Sequence, residues 1–210
     1  MDITLLIGTC DAYLDLIPNY LTLLGRYSKI QNPIIIGETQ NLDINFITTP
    51  GKKEWGERIL EGLEGVNTKY ILFTLDDYYF QTPIDEYVDA SIQIMESNNI
   101  DKVSFISNKH FRNYNLIPTS IDNFYMMDSS CRWLATLQMG IWKTEVFKEV
   151  LKPTYSPWDF EINGRNALTN KKCAVFDPQC ELTFNFVRNG KQPSPGWEQF
   201  LEKEQLTYII

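Results

Sequence analysis

The stretch YILFTLDDYYF, residues 70–80, decides how the rest of the sequence is interpreted. Its apolar run ends abruptly at two adjacent carboxylates, Asp76 and Asp77, and three aromatic residues follow. A short apolar run bounded by charge is typical of a buried strand at the centre of a parallel sheet. In open α/β sheets, ligands bind just beyond the carboxyl ends of the strands. The sequence therefore predicts that Asp76 and Asp77 lie where a ligand binds.

Two carboxylates this close need a compensating charge. Their repulsion is about 4 kcal/mol at ~4 Å when the effective dielectric constant is roughly 20. A divalent metal that prefers hard oxygen ligands is one candidate, and a simple turn after the strand, where Asp is common, is the alternative. Adjacent residues of a strand face opposite ways, so regular strand geometry allows only one of the two to bind an ion directly. We expect Asp77 to contact the metal, and Asp76 to contact a ribose or a water molecule.

Around this strand, apolar strand patterns alternate with helical ones. Strands are predicted over 3–7, 33–36, 44–47, 103–106, 134–142, 175–176 and 183–187, and helices over 13–27, 54–63, 83–95 and 144–151, with another starting at Pro157. Residues 110–130 lose this pattern and are predicted to form a long binding loop. The alternation predicts an α/β fold, a single domain with a mostly parallel central sheet and helices on both faces.

Composition narrows the class of protein. The 210 residues are 43% hydrophobic and carry a formal charge of −8, which argues against nucleic acid as a partner. No segment has the roughly 20 apolar residues needed to cross a bilayer, and the first residues read as a strand rather than a signal peptide. The four cysteines lack metal-ligand spacing, so free thiols and a cytoplasmic location are expected.

Polar residues beyond the other strands extend the predicted site. Thr9 and Asp11 follow the first strand, and in a parallel sheet they gather at the same edge as the two carboxylates. Such a cleft suits a ligand with many hydroxyls, such as a sugar or a nucleotide. Arg58 could bind a phosphate and Trp55 could stack on a base. The alternatives are a solvated arginine and a core tryptophan.

A second acidic site lies in SPWDFE, residues 156–161. Asp159 falls three residues after the presumed N-cap Ser156, so a capping box explains it. Glu161 has no such explanation, and it is flanked by Phe160 and Ile162. A partly desolvated carboxylate suits a general base, so Glu161 is preferred to Asp159 in that role.

Weaker signals come from three more residues. Gln138, in an apolar strand with Gly140, suggests close approach of a ligand or a bulge. Lys191 follows Arg188 in RNGK, which offers cations to a diphosphate, although a hairpin turn explains the run equally well. His110, the single histidine, is expected on a loop surface rather than at a metal.

Together these motifs resemble bacterial glycosyltransferases of the GT-A type. The strand ending in Leu75-Asp76-Asp77 is similar to their DXD-type motif. The runs WGER at 55–58, QMGIW at 138–142 and PWDFE at 157–161 are similar to a small family associated with capsule or cell-surface polysaccharide synthesis. The resemblance covers most of residues 3–191.

The resemblance implies a GT-A-like, Rossmann-like fold with a donor-binding half, 1–107, and an acceptor-side half, 108–210. It implies a sugar-nucleotide donor, with a UDP-sugar expected, and a divalent metal, Mn²⁺ or Mg²⁺, held by Asp77 and Asp76. It implies a nucleotide pocket at Thr9, Asp11 and Arg58, diphosphate contacts at Asp76 and Asp77, and an acceptor-side base at Glu161 or Asp159. Trp55, Gln138 and Lys191, singled out above, are the further candidates for donor contacts. The acceptor would be a glycan or a lipid-linked glycan, with the enzyme in the cytoplasm or peripheral at the inner face of the membrane.

The sequence thus predicts a metal-dependent, inverting glycosyltransferase. One alternative is a nucleotidyltransferase, which would normally show a Gly-rich, basic loop after the first strand, whereas Thr9-Cys10-Asp11-Ala12 has neither feature. The other is a non-catalytic module that binds sugar nucleotides or glycans, which predicts binding without turnover.

Overall fold

In the computed structural model, which describes residues 2–30, 33–38, 46–47, 54–188 and 192–207, residues 70–75 form an interior strand of the main sheet. Residues 78–80 form a strand of a separate two-stranded sheet. In chain order the strands are β1 (Ile3–Gly8), β2 (Ile34–Ile36), β3 (Phe46–Ile47), β4 (Tyr70–Leu75), β5 (Tyr78–Phe80), β6 (Lys102–Phe105), β7 (Leu116–Pro118), β8 (Phe124–Met127), β9 (Gly140–Lys143), β10 (Cys173–Phe176), β11 (Thr183–Asn185), β12 (Val187–Arg188) and β13 (Gln192–Pro193). The helices are α1 (Ile17–Tyr27), α2 (Trp55–Gly62), α3 (Asp85–Asn98), α4 (Thr144–Val150), α5 (Pro157–Asn163) and α6 (Trp197–Glu204).

The main sheet has nine strands within the described residues, in the order β3-β2-β1-β4-β9-β6-β10-β8-β7. Strands β1 to β4 are parallel to one another, whereas β9 runs antiparallel to both of its neighbours, β4 and β6. Strand β10 is parallel to β6, and β8 and β7 complete the edge as antiparallel strands. The predicted mostly parallel α/β sheet is confirmed, with β9 and β8 as the strands of opposite direction.

Side chains of the central strands alternate between two cores. Leu72 belongs to the core on one face of β4, and Ile71 and Phe73 belong to the core on the other. The first core is covered by α1, α3 and α6, and the second by α2, α4 and α5. A strand with apolar neighbours on both faces is apolar throughout, which is why its sequence shows no alternation with polar residues.

The long helix predicted over 13–27 is divided in two. A 3-10 helix spans Asp11–Leu16, and α1 begins at Ile17 with Pro18 in its first turn. Proline fits there because the first N–H groups of a helix have no intrahelical acceptor.

Two predictions in the second half of the chain are wrong in part. Residues 110–130 are not an irregular loop throughout, because they contain β7 and β8 of the main sheet. The strand predicted over 134–142 is present only as β9. Residues 134–139 are not a strand, because main-chain groups of Leu134, Thr136 and Leu137 bind the side chains of Lys102 and Glu161. The Met139 carbonyl, next to β9, accepts a hydrogen bond from the N–H of Phe105 in β6.

Gly140 is explained by sheet packing rather than by a ligand. A Cβ at this position would lie 2.7 Å from the main-chain oxygen of Val103 in β6.

Along the described part of the chain, no helix is both long and apolar enough to cross a membrane. All four cysteines are free thiols, as expected.

Candidate functional site

A cavity of about 790 Å³ opens at the edge of the sheet where β1 and β4 end. Register places these ends together, because Gly8 of β1 pairs with Leu75 of β4. Residues of both sequence halves line the cavity, among them Thr9, Trp55, Arg58, Asp76, Asp77, Leu137, Trp158, Glu161 and Asn185. The polar residues predicted at the strand ends therefore share one cavity with residues more than sixty positions further along the chain.

Thr9 and Asp76 form one buried unit of this cavity. The Thr9 hydroxyl donates a hydrogen bond to Oδ2 of Asp76, and the main-chain N–H of Asp76 donates to the carbonyl of Gly8 at 3.2 Å. Burial raises the pKa of Asp76 well above its ordinary value, against the opposing effect of the Thr9 hydrogen bond, and the nearby Asp77 charge raises it further. Thr9 thus holds the Asp76 carboxylate in place.

Asp77 carries a carboxylate oxygen without a partner in the described part of the chain. Its Oδ1 is buried and accepts no hydrogen bond from these residues. Burial raises the pKa of Asp77 to about 7. A buried acceptor that lacks a donor costs free energy comparable to a lost hydrogen bond, so its position is explained if a cation or a ligand donor occupies the cavity.

Asp76 and Asp77 do not continue the strand, because β4 ends at Leu75 and the two carboxylates belong to the turn before β5. The prediction that strand alternation points them in opposite directions is therefore wrong. Their directions are set by the turn and by separate contacts. The hydroxyl of Thr9 binds the Asp76 carboxylate, and the main-chain N–H of Phe186 donates to the Asp77 carbonyl.

Asn185 belongs to the site but was missed in the sequence. It ends β11, where it pairs with Tyr78 of β5, and its Oδ1 is buried without a donor among the residues that the structure describes. The sequence signal was present, because Asn185 interrupts the apolar neighbours Phe184 and Phe186. A side-chain amide in an apolar strand needs a hydrogen-bond partner, and no residue near Asn185 in the sequence indicates which group that partner is.

These oxygens fit a hard divalent cation that is only partly held by protein. Within the described ranges, no group of three or more His, Cys, Asp or Glu side chains is placed to hold a metal ion. Mg²⁺ typically binds through one or two carboxylates and completes its shell with substrate phosphates and water. Asp77, with Asp76 and the amide oxygen of Asn185 in the same cavity, supplies that kind of incomplete set.

Arg58 and Trp55 form one wall of the cavity from helix α2. Nη1 of Arg58, which is 5% exposed, lies 3.0 Å from Oε1 of Glu38. The other oxygen of Glu38 accepts a hydrogen bond from the main-chain N–H of Asp11 at 3.0 Å. Asp11 itself lies just outside the cavity lining, where Cys10 and Tyr13 take its place.

The Trp55 ring packs mainly in the core. It makes edge-to-face contacts with Phe73 and Phe160, and its indole N–H is buried with no acceptor within the described ranges. The alternative prediction for Trp55, a tryptophan packed in the core, therefore describes most of this side chain. The unpaired indole N–H is the part of Trp55 that a ligand acceptor would satisfy.

The structure separates the two acidic residues of α5. Asp159 forms the predicted capping box: its main-chain N–H donates to the Ser156 hydroxyl at 3.1 Å, and its Oδ2 accepts from the Ser156 main-chain N–H at 3.1 Å and hydroxyl at 2.6 Å. These hydrogen bonds hold the pKa of Asp159 below its ordinary value.

Glu161 lines the cavity, and its Oε1 accepts hydrogen bonds from the Leu137 N–H at 2.8 Å and from the Thr136 hydroxyl at 3.3 Å. Its apolar flank is one-sided, because Phe160 is buried and Ile162 is exposed.

The remaining candidates lie elsewhere. Gln138 lines a neighbouring cavity of about 410 Å³, which shares Tyr78 and Asn185 with the first one. His110 is half-exposed, with Nε2 3.3 Å from Oε1 of Glu181. Lys191 and the predicted turn at 189–190 lie outside the described residues.

Comparison with known proteins identifies the fold. No protein-family model matches this sequence, and no match was found among curated proteins. Among solved structures, the chain is similar to S. aureus TarS 1–349 in complex with UDP-GlcNAc, with a TM-score of 0.60 and 13% identity over 91% of this chain. It is also similar to the mannosyltransferase PcManGT from Pyrobaculum calidifontis in complex with GDP-Man and Mn²⁺, with a TM-score of 0.58 and 9% identity over 97% of this chain and 68% of that one.

A third similar structure, HddC from Yersinia pseudotuberculosis, has a TM-score of 0.57 and 8% identity, and the match covers 86% of this chain and 91% of that one. The chain spans about 60% of the length of TarS 1–349. At these identities the likeness concerns the fold, which is the GT-A-like α/β fold predicted from the sequence.

Proposed function

We propose that the protein is a glycosyltransferase that uses a nucleotide-sugar donor and a divalent cation. One observation carries the proposal: at the carboxyl end of β4 in a GT-A-like sheet, Asp77 presents a buried carboxylate oxygen that no group of the described residues binds. Asp76 and Thr9 form a second buried polar pair in the same cavity. The arrangement suits a diphosphate whose charge is shared with a cation.

The donor class is supported by the similar structures. TarS 1–349 was solved with UDP-GlcNAc, and PcManGT with GDP-Man and Mn²⁺. A UDP-sugar is the first donor to test here, with Mn²⁺ or Mg²⁺. Arg58, Trp55 and Asp11 lie in or beside one wall of the cavity and are proposed to form the nucleotide side of the site, with Lys191 and Gln138 as further donor contacts.

The residues have distinct proposed roles in transfer. Asp77 would bind the cation directly and Asp76 would contact the ribose or a bound water, with the Asn185 oxygen as an additional ligand. When bound, the cation neutralises charge on the leaving diphosphate. The acceptor oxygen forms a bond to the anomeric carbon, the bond from that carbon to the diphosphate oxygen breaks, and the acceptor proton passes to Glu161 in an inverting displacement.

Glu161 suits the role of base better than Asp159. The Asp159 carboxylate is used by the helix cap, and the Ser156 hydrogen bonds that lower its pKa make it a weaker base. Glu161 lines the cavity itself. Residues 1–107 would then supply most donor contacts and 108–210 the acceptor side, with a glycan or lipid-linked acceptor of surface polysaccharide synthesis, in the cytoplasm or at the inner face of the membrane.

The first experiment is a thermal-shift screen of UDP-sugars and GDP-Man, each with and without Mn²⁺. A ligand present at 100 times its Kd stabilises the folded state by about 2.7 kcal/mol, which is readily detected. We expect stabilisation by a donor that requires Mn²⁺ and is lost in Asp77→Ala. If Asp77→Ala keeps both donor binding and its Mn²⁺ dependence, the proposal is wrong.

Turnover then separates the alternatives. A glycosyltransferase releases the nucleoside diphosphate from the donor. The Glu161→Gln variant should still bind the donor but release the nucleoside diphosphate far more slowly. Binding without turnover, insensitive to Glu161→Gln, would identify a binding module. Release of pyrophosphate from a nucleoside triphosphate and a sugar phosphate would identify a nucleotidyltransferase.

A further inference from the structure

Lys102 is a fully buried cation outside the cavity. It begins β6 and has 0% of its surface exposed. Its Nζ donates to the main-chain oxygens of Leu134 at 2.7 Å and Thr136 at 3.2 Å, and it lies 4.3 Å from the ring centroid of Trp142. Removing an ammonium from water is costly, and lysine is rarely buried without a charged partner. The hydrogen bonds of Lys102 to two main-chain carbonyls therefore need an explanation other than core packing.

The segment that Lys102 binds also binds Glu161. The Thr136 carbonyl accepts from Lys102, while the Thr136 hydroxyl donates to Oε1 of Glu161 at 3.3 Å. The next residue, Leu137, donates its main-chain N–H to the same oxygen at 2.8 Å. Two consecutive hydrogen bonds thus connect the buried ammonium to the carboxylate in the cavity.

The contacts leave the two oxygens of Glu161 unequal. Both hydrogen bonds from the 136–137 turn reach Oε1. A carboxylate fixed through one oxygen turns the other in a defined direction, and Oε2 is then the oxygen that can take a proton. Orientation of this kind matters because a small displacement of a catalytic group costs about 100-fold in rate.

We propose that Lys102 is a positioning residue for the active site: by binding the carbonyls of Leu134 and Thr136, it fixes the turn that orients the Glu161 carboxylate. The inference rests on the proposed function, in which Glu161 is the base. Lys102 does not line the cavity, so it acts on Glu161 through residues 134–137 and through the attraction between the two charges. Thr136→Val keeps the Lys102 charge and therefore tests the contact through residue 136 by itself.

The test is a double-mutant cycle with Lys102→Met and Glu161→Gln. Methionine has a similar length and no charge, and replacing a buried charge by an apolar group often leaves a protein folded. With a donor identified in the thermal-shift screen, we expect Lys102→Met to lower the kcat of donor turnover by about tenfold or more, with the donor KM changed by less than about threefold. In the Glu161→Gln background, Lys102→Met should change kcat by less than about twofold, because the base is already absent.

Lys143→Met is the matched control. Lys143 lies on the adjacent strand β9 and binds Asn99 and Asp101, away from the 134–137 turn, so its loss should leave kcat unchanged. If Lys102→Met lowers kcat equally in both backgrounds, or does not lower it at all, the inference is wrong. Thr136→Val, which keeps the carbonyl and removes the hydroxyl, provides a second variant with the same expected dependence on Glu161.

A stability cycle keeps the inference testable apart from turnover. Melting temperatures of the wild type, the two single variants and the double variant, all without ligand, should be non-additive because the residues are coupled through one turn. Additive changes would overturn the inference. A wild type that turns over no nucleotide sugar would contradict the proposed function, while the stability cycle would still decide on the coupling.

Discussion

The main-chain N–H of Phe186 donates to the main-chain carbonyl of Asp77 at 2.6 Å, which joins the turn after β4 to the link between β11 and β12. Because Asn185 directly precedes Phe186, this contact brings a second unpartnered oxygen to the cavity that contains the Asp77 carboxylate. The hydrogen bond between Asp77 and Phe186 is thus a tertiary contact that places Asn185 in the same site as Asp77.

Asn185→Ala should weaken Mn²⁺ binding measured with UDP present. The loss of one oxygen ligand is expected to lower the affinity by about tenfold, whereas Asn185→Asp keeps an oxygen and should retain binding. Free Mn²⁺ can be measured directly by electron paramagnetic resonance. Asn98→Ala, at the exposed end of α3, is the control, and an affinity equal to wild type in Asn185→Ala would remove this residue from the site.

Asp77→Asn should stabilise the metal-free protein at pH 8. In the folded protein burial raises the pKa of Asp77 to about 7 from its ordinary value of 3.8, so the folded state binds more protons between these values. The contribution of Asp77 to the free energy of unfolding therefore falls as pH rises from about 4 to 7, and the cost is complete above pH 7.

Asparagine removes that cost, so the melting temperature in EDTA should rise relative to wild type at pH 8 and much less at pH 5. The shift is about 2–4 °C for each kcal/mol in a protein of this size. Asp89→Asn, on the exposed face of α3, changes the net charge equally and serves as the control. A melting temperature lowered at pH 8 would mean that the Asp77 carboxylate has a stabilising partner.

Lys102→Met should change how stability depends on alkaline pH. Burial lowers the pKa of Lys102 to about 8 from 10.5, so the folded state loses this proton first. Between pH 8 and 10.5 the unfolded state binds more protons, and the free energy of unfolding rises with pH through this group. The free energy of unfolding of the wild type should therefore increase relative to that of Lys102→Met over this pH window, by on the order of 2 kcal/mol. Chemical denaturation at pH 7.5 and 10 measures it, and a constant difference would contradict the assignment.

Gly56→Ala should destabilise the fold, and the comparison with Gly25→Ala isolates the reason. A Cβ at Gly56 would lie 2.0 Å from the main-chain oxygen of Lys152, whereas nothing lies within 4 Å of a Cβ at Gly25. Backbone cannot yield cheaply, so we expect Gly56→Ala to cost about 2–4 kcal/mol, and Gly25→Ala to be stabilising by up to about 1 kcal/mol. Urea denaturation of both variants provides the measurement. Equal stabilities would show that α2 can move away from residue 152.

Local and strongly patterned features were predictable from the sequence. The strand at 70–75 was identified because its residues contact apolar side chains on both faces, and the capping box at 156–159 because all its hydrogen bonds lie within four residues. These predictions depend on neighbours in the sequence, so no knowledge of the tertiary fold was needed.

Features decided by distant partners were not predictable. The segment 134–139 looks like a strand, but its main chain binds Lys102 and Glu161. The ion pair of Arg58 with Glu38 was not visible in the sequence either, because it joins α2 to the segment after β2. Strands β7 and β8 are short and their burial does not alternate, so periodicity could not reveal them.

The position of β9 has a consequence for the order of folding. Residues 140–143 lie between β4 and β6, so these two strands, which are complete early in synthesis, have no partner on their facing edges until β9 emerges. At about 5–20 residues per second, the ribosome needs several seconds to make the intervening segment, during which both edges are open to wrong pairing. Nascent chains that end before residue 140 should therefore depend on chaperones, while chains that include β9 should gain resistance to proteolysis.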